Sequence, residues 1–151
     1  MEWTNTKNIG PIAYTAVLFN GLPLTIRADG CRVLWKPSVF QGNGSEKKVN
    51  ICLADVSDSI EYIRNLEKEL GDNLISVIKD SHLKCKINLD TVCTYDSDNN
   101  RVECVDSWEN LLINACIHIK GKWSSRNACG LQVQVTDIQI LGKHERKNPF
   151  I

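Results

Sequence analysis

Cationic and aromatic side chains are interleaved in three stretches of the sequence: Arg27, Arg32, Trp35, Lys36, Phe40, Lys47 and Lys48; then Lys84 and Lys86; then Lys120, Lys122, Trp123 and Arg126. A cation neutralises a phosphate and releases its condensed counterion, and an aromatic ring stacks an unpaired base for about 1 to 3 kcal/mol. The combination suits a flexible polyanion that carries flat faces, which is the chemistry of a single-stranded nucleic acid. Arg32, Lys36, Lys84, Lys86, Lys120, Lys122 and Arg126 are the candidate phosphate contacts, and Trp35, Phe40 and Trp123 the candidate stacking platforms. The rings have a second reading. Trp123 shares the parity of Ile117 and Ile119, and Trp35 that of Cys31 and Val33, so plain alternation would send both indoles into a core.

Spacings that mark catalysis are missing. The sequence contains no phosphate-binding Walker loop, no Gly-x-Gly-x-x-Gly, no His-Glu-x-x-His and no Gly-x-Ser-x-Gly. Of the three histidines, His118 shares a strand face with Cys116 and Lys120, which suits a solvated or hydrogen-bonded ring better than a metal ligand. Asp96 and Asp98 stand in a turn-forming run, Asp96-Ser97-Asp98-Asn99-Asn100, without the Gly and distal Glu of a calcium loop. The seven cysteines are irregularly spaced with no Cys-x-x-Cys pair, so they read as reduced, small core hydrophobes rather than as disulfide or zinc frameworks. The expectation is a protein with no catalytic residues, no metal and no cofactor.

With 151 residues, 42% of them hydrophobic, the chain has the size of one domain and enough apolar surface for a core. Lys plus Arg and Asp plus Glu each number 18, which excludes the strongly basic composition common in nucleic-acid binders. The balance is uneven along the chain: Asp55, Asp58, Glu61, Glu67 and Glu69 gather around one segment and leave the basic stretches apart. No 18-residue apolar run occurs, and Met1 to Asn8 lacks a secretory pattern. An intracellular protein, in the cytoplasm or nucleus of a host cell and away from membranes, is expected.

The elements that must hold the cations are mostly strands. Residues 1–24 read as an arm or first edge strand. Alternation predicts a strand over Thr25 to Phe40, a turn at Gln41 to Ser45 and a return strand over Lys47 to Ala54. Asp58 and Glu61 form a capping-box pattern ahead of Ile60, Ile63, Leu66 and Leu70, which predicts a helix ended by Gly71. Leu74 to Ile78 fits a short helix or a strand equally badly. Leu83, Cys85, Ile87 and Leu89 mark another strand, and Arg101 to Val105 its antiparallel return after the turn. Ser107 to Leu112 reads as one or two helical turns. Two strands follow, Ala115 to Lys120 and Leu131 to Thr136, joined by a connection over Gly121 to Gly130. Parity then shifts near Asp137, because Ile138 and Ile140 fall on the opposite phase, which predicts a β-bulge or corner. The fold class is therefore mainly β with one or two short helices (α+β), a small antiparallel barrel over 25–141 followed by a mobile tail over 142–151.

The segment order resembles that of the single-stranded DNA-binding proteins of large DNA viruses and phages, which have an oligonucleotide-binding (OB) barrel. The resemblance is carried by Gly21 to Ile26, by Val49 to Asp55 with the helix after it, and by three C-terminal segments. These are Ser107-Trp108-Glu109-Asn110-Leu111-Leu112, Ile117-His118-Ile119-Lys120-Gly121-Lys122-Trp123 and Gly130-Leu131-Gln132-Val133-Gln134-Val135. It implies an OB-fold-like domain that coats single-stranded DNA in replication, recombination or repair, without enzymatic activity or metal. It also implies contact with replication or recombination proteins and a possible homodimer. Two other readings stay open on the residues alone: a β-barrel that recruits a protein partner through its faces or its Asn148-Pro149-Phe150 tail, and an RNA-binding OB protein.

Overall fold

Alternation along 111–119 becomes one wall of a core: Leu111, Ile113, Ala115, Ile117 and Ile119 are buried, with half-buried side chains between them. In the computed structural model, which describes residues 1–34, 38–39, 48–103, 105 and 107–143, the chain is a single sheet with one helix. In chain order the strands are β1 (Glu2–Trp3), β2 (Lys7–Ile9), β3 (Ile12–Phe19), β4 (Leu22–Val33), β5 (Ser38–Val39) and β6 (Lys48–Ala54). Helix α1 (Ser57–Glu67) follows, then β7 (Ile78–Lys79), β8 (His82–Asn88), β9 (Cys93–Tyr95), β10 (Arg101–Val102), β11 (Leu111–Ser124) and β12 (Cys129–Lys143). Trp35, Lys36, Phe40 and the tail from 144 onward lie outside the described residues. Among the described residues, no helix is long and apolar enough to cross a membrane.

The pairings close on themselves. Strand β4 pairs with β6, β6 with β8, β8 with β12, β12 with β11, and β11 with β4 again, an OB-like order. Strict antiparallel alternation cannot be kept around a ring with an odd number of members, so one seam must be parallel. That seam is β8 with β12, Gln134 opposite Lys86 and Val135 opposite Ile87, while the other four pairings of the ring are antiparallel as the sequence leads one to expect. Inside the ring Val33, Ile51, Leu53, Leu83, Cys85, Ile87 and Val135 pack with the apolar row of β11, and α1 adds Ile60, Ile63 and Leu66 to the same cluster. Removing these side chains from water is the dominant favourable term holding the ring closed.

Local differences from the expected elements have identifiable causes. The helix begins at Ser57, with Val56 in the cap position and no side-chain cap, so Asp58 lies in the first turn instead of capping it. Glu67 is buried and accepts hydrogen bonds from Ser76 Oγ (2.7 Å) and Val77 N (3.0 Å), which ties the ambiguous 74–78 segment to the helix end. That segment is neither a helix nor a full strand. Leu74 bridges to Cys129, and Ile78 pairs with Leu83. Residues 107–110 form a turn, not a helix, and Asn110 takes φ 61° before β11 begins. The Arg101–Val102 return pairs with β9 instead of β8. Only Cys31 and Cys85 of the described cysteines are core residues; Cys52, Cys93, Cys116 and Cys129 are half-buried.

Three irregularities shape β11 and β12. One lies where Cys116 faces Asp137 and Ile117 faces Val135, leaving Thr136 as the extra residue; this is the predicted parity change beside Asp137. Another lies where Ile119 faces Val133 and Gly121 faces Gln132, leaving Lys120 as the extra residue. After it β11 does not enter a connection at Gly121 as expected. It runs on to Ser124, because β3 pairs along it from Gly121 opposite Ala16 to Ser124 opposite Ala13. Gly121 permits that approach: a Cβ there would fall on the Thr15 carbonyl oxygen and lie 2.7 Å from Ala16 Cα, and φ is 152°.

Candidate nucleic-acid interface

The bulge at Lys120 reverses the facing of the residues after it. Gly121 now shares a face with outward-pointing Gln132, Lys122 with Leu131 and buried Thr15, and Trp123 with Tyr14, its cross-strand partner on β3. Trp123 therefore lies on the outer surface despite its parity with Ile117 and Ile119, and its indole lies against Gly130. A Cβ on Gly130 would approach Trp123 Nε1 to 2.9 Å and the Ile75 carbonyl oxygen to 3.0 Å. Tyr14 and Trp123 line one hollow of about 440 Å³ with Ile75, Ser76 and Val77 along its wall, the segment that Glu67 holds in place.

Cations surround this aromatic pair. Lys84 and Lys86 stand on the outer face of β8, opposite Cys52 and Asn50 of β6, and Lys86 is also in register with Gln134 of β12. A second hollow joins the first at Tyr14, Lys86, Gln132 and Val133 and adds Lys48, Lys120, Asn88 and Gln134. No Asp or Glu is among the described residues lining either hollow. The Lys86 amine is held below its ordinary pKa, first by partial burial and then by repulsion from Lys48, Lys120 and Lys84. Four ammonium groups thus share one field, and a chain of phosphates entering the groove would relieve their mutual repulsion. Among the described residues, no group of three or more His, Cys, Asp or Glu side chains gathers as a metal site would require.

The groove brings together four of the candidate contacts named from sequence, Lys84, Lys86, Lys120 and Trp123, with Lys48 from the first basic stretch. Lys122 goes elsewhere. Its Nζ sits 4.6 Å from the centroid of the Trp3 ring, a cation–π contact, on the face opposite Trp123. Arg126 is exposed in the Ser125–Ala128 connection, and Arg32 is half-buried on β4 between Ala54 and Leu112; neither lines the groove. Trp35, Lys36 and Phe40 fall outside the described residues. Sequence reading missed Tyr14, Asn50, Gln132 and Gln134 as site residues. The signal for Tyr14 was available in the alternation of Ala13, Thr15 and Val17, which a strand over 12–19 places on the opposite face.

Comparisons with known proteins agree in fold. No protein-family model matches the chain, and no curated protein matches it. Among solved structures, the chain is similar to the single-stranded DNA-binding protein from bacteriophage Enc34 in a C-terminally truncated form, at TM-score 0.60 and 11% identity, over 96% of this chain and 97% of that one. It is also similar to the same phage protein in complex with single-stranded DNA, at TM-score 0.57 and 13% identity, over 95% and 96% of the two chains. At these identities the likeness is one of fold.

Proposed function

We propose that this chain is a sequence-tolerant single-stranded DNA-binding protein, non-enzymatic, that coats exposed strands in replication, recombination or repair. The observation that carries the reading is the cross-strand pair Tyr14 and Trp123 set among Lys48, Lys84, Lys86 and Lys120 on the outer face of an OB-like ring. Stacking on those rings requires a base whose flat face is free, which a single strand offers and a duplex withholds. Lysine contacts to phosphate carry no sequence information, so binding by this groove tolerates any sequence. The phage protein of similar fold whose structure contains single-stranded DNA supports the same assignment. An intracellular location, recruitment of replication or recombination proteins and pairing of two copies belong to this reading.

The test is a titration with oligo-dT, oligo-rU and a duplex at several salt concentrations, followed by intrinsic fluorescence and anisotropy. The expected result is tight binding of dT, weak binding of duplex and a log-log salt slope of roughly −3, about 0.7 for each of the four groove lysines. Failure to bind any of the three at low salt would overturn the proposal in favour of a protein-recruiting role, and preference for rU over dT would replace DNA with RNA.

A further inference from the structure

The groove does not end at the aromatic pair. A third hollow, of about 460 Å³, continues from Tyr14, Lys120 and Gln132 onto the N-terminal arm, where Asn5 and Lys7 complete it, again with no carboxylate among its described lining residues. Lys7 is the register partner of Tyr14 across β2 and β3, so both side chains share the groove face. The arm is fastened along its edge and from behind. Thr4 N donates to the Ala16 carbonyl (2.8 Å), Thr6 Oγ1 and buried Thr15 Oγ1 are hydrogen-bonded at 2.8 Å, and Trp3 lies under Lys122. One backbone bond in the plane of the sheet and two side-chain contacts on the reverse side leave Asn5 and Lys7 exposed beside a groove that is otherwise built from the ring.

We infer that residues 4–7 form an additional subsite for the strand, in which Lys7 takes a phosphate and Asn5 offers its amide to the same nucleotide. The subsite rests on the proposed single-stranded DNA reading and extends it: the strand passes Tyr14 and continues onto the arm, which lengthens the footprint beyond the ring. Lys122 and Trp3 act as positioning residues that keep the arm in line with the groove.

The experiment measures affinity and salt slope for a series of oligo-dT from about 4 to about 16 nucleotides, the span of OB-fold site sizes, on the wild type and on Lys7→Ala, Trp3→Ala and Trp123→Ala. Lys7→Ala is expected to leave the shortest bound oligomers unaffected and to flatten the slope by about 0.7 for the longer ones, the signature of one lost phosphate contact. Trp3→Ala, which frees the arm without touching the groove, is expected to reproduce that length-dependent loss. A Lys7→Ala protein that matches the wild type at every length overturns the subsite. If Trp123→Ala still weakens binding in that case, the proposed function survives alone; if the wild type binds no oligomer, both fall.

Discussion

Two polar surfaces of this molecule have hollows of nearly equal size, about 440 Å³ beside Trp123 and about 420 Å³ beside Gln139, and they differ in the charges placed around them. Around Gln139 the polar groups satisfy one another. Asn114 Nδ2 donates to Gln139 Oε1 (2.9 Å), Gln139 Nε2 to Asn99 Oδ1 (2.8 Å), and Gly30 N to Asn114 Oδ1 (2.9 Å). The cation there, Arg27, meets Asp29 at 2.6 Å. Around Trp123, Lys48, Lys84, Lys86 and Lys120 share one face, the Lys86 amine is held below its ordinary pKa first by partial burial and then by its lysine neighbours, and Gln132 and Gln134 line the same hollow. Volume does not distinguish these two surfaces; the placement of charge does. The first surface stitches β4, β11 and β12 to the 96–100 turn, and the second is the groove proposed for phosphates and bases.

The strongest way to break the contrast is to remove the platform under the second surface. Gly121→Ala should cost about 3 kcal/mol or more, since its Cβ meets backbone on β3. Thermal unfolding should fall sharply, and any folded protein should bind poorly because Tyr14 has lost its seat. Lys84→Ala with Lys86→Ala comes next: the fold should persist, since both side chains are exposed, while the salt slope of DNA binding flattens by about 1.4, about 0.7 per lysine. An unchanged slope would place the phosphates elsewhere. Gln139→Ala sharpens the comparison from the other side. It should lower stability by about 1 kcal/mol through the broken amide relay and leave oligo-dT affinity unchanged.

The smallest effect is pH-dependent. Half-buried His118 has its pKa lowered from 6.5, first by burial and then by Lys120. The unfolded chain therefore takes up this proton before the folded one as pH falls. Stability present above pH 6.5 should decline as the pH drops through the lowered folded value, and the melting temperature of His118→Gln should show less of that decline than the wild type.

The buried half of this fold was legible in the sequence because period-2 alternation records burial directly. Leu83, Cys85 and Ile87, Ala115, Ile117 and Ile119, and Leu131, Val133 and Val135 all point inward as their spacing says, whereas Leu89, expected on the same buried face, lies past the end of β8 and is exposed. The bulge beside Asp137 was legible for the same reason, as a change of parity in a run of isoleucines and valines. The bulge at Lys120 was not, because Ile119-Lys120-Gly121-Lys122-Trp123 keeps its alternation on paper. Only the docking of β3 on Gly121 extends the strand and turns Trp123 outward. Strand β3 lies among Gly and Pro in the arm; alternation of Ala13, Thr15 and Val17 could place Tyr14 on the opposite face, but that this face lines all three hollows of the groove followed only from its long-range pairing with β11. The role of Glu67 was hidden for a similar reason: nothing local distinguishes a solvated helix glutamate from one that closes a loop.

The central claim, that the outer groove stacks bases on Tyr14 and Trp123, is tested most directly by titrating Trp123→Ala with oligo-dT beside the wild type. The account predicts a loss of about 1 to 3 kcal/mol in binding, roughly 5- to 150-fold in affinity, together with loss of most of the fluorescence quenching that DNA produces in the wild type. A Trp123→Ala protein that binds dT as tightly as the wild type and is quenched as fully would contradict it.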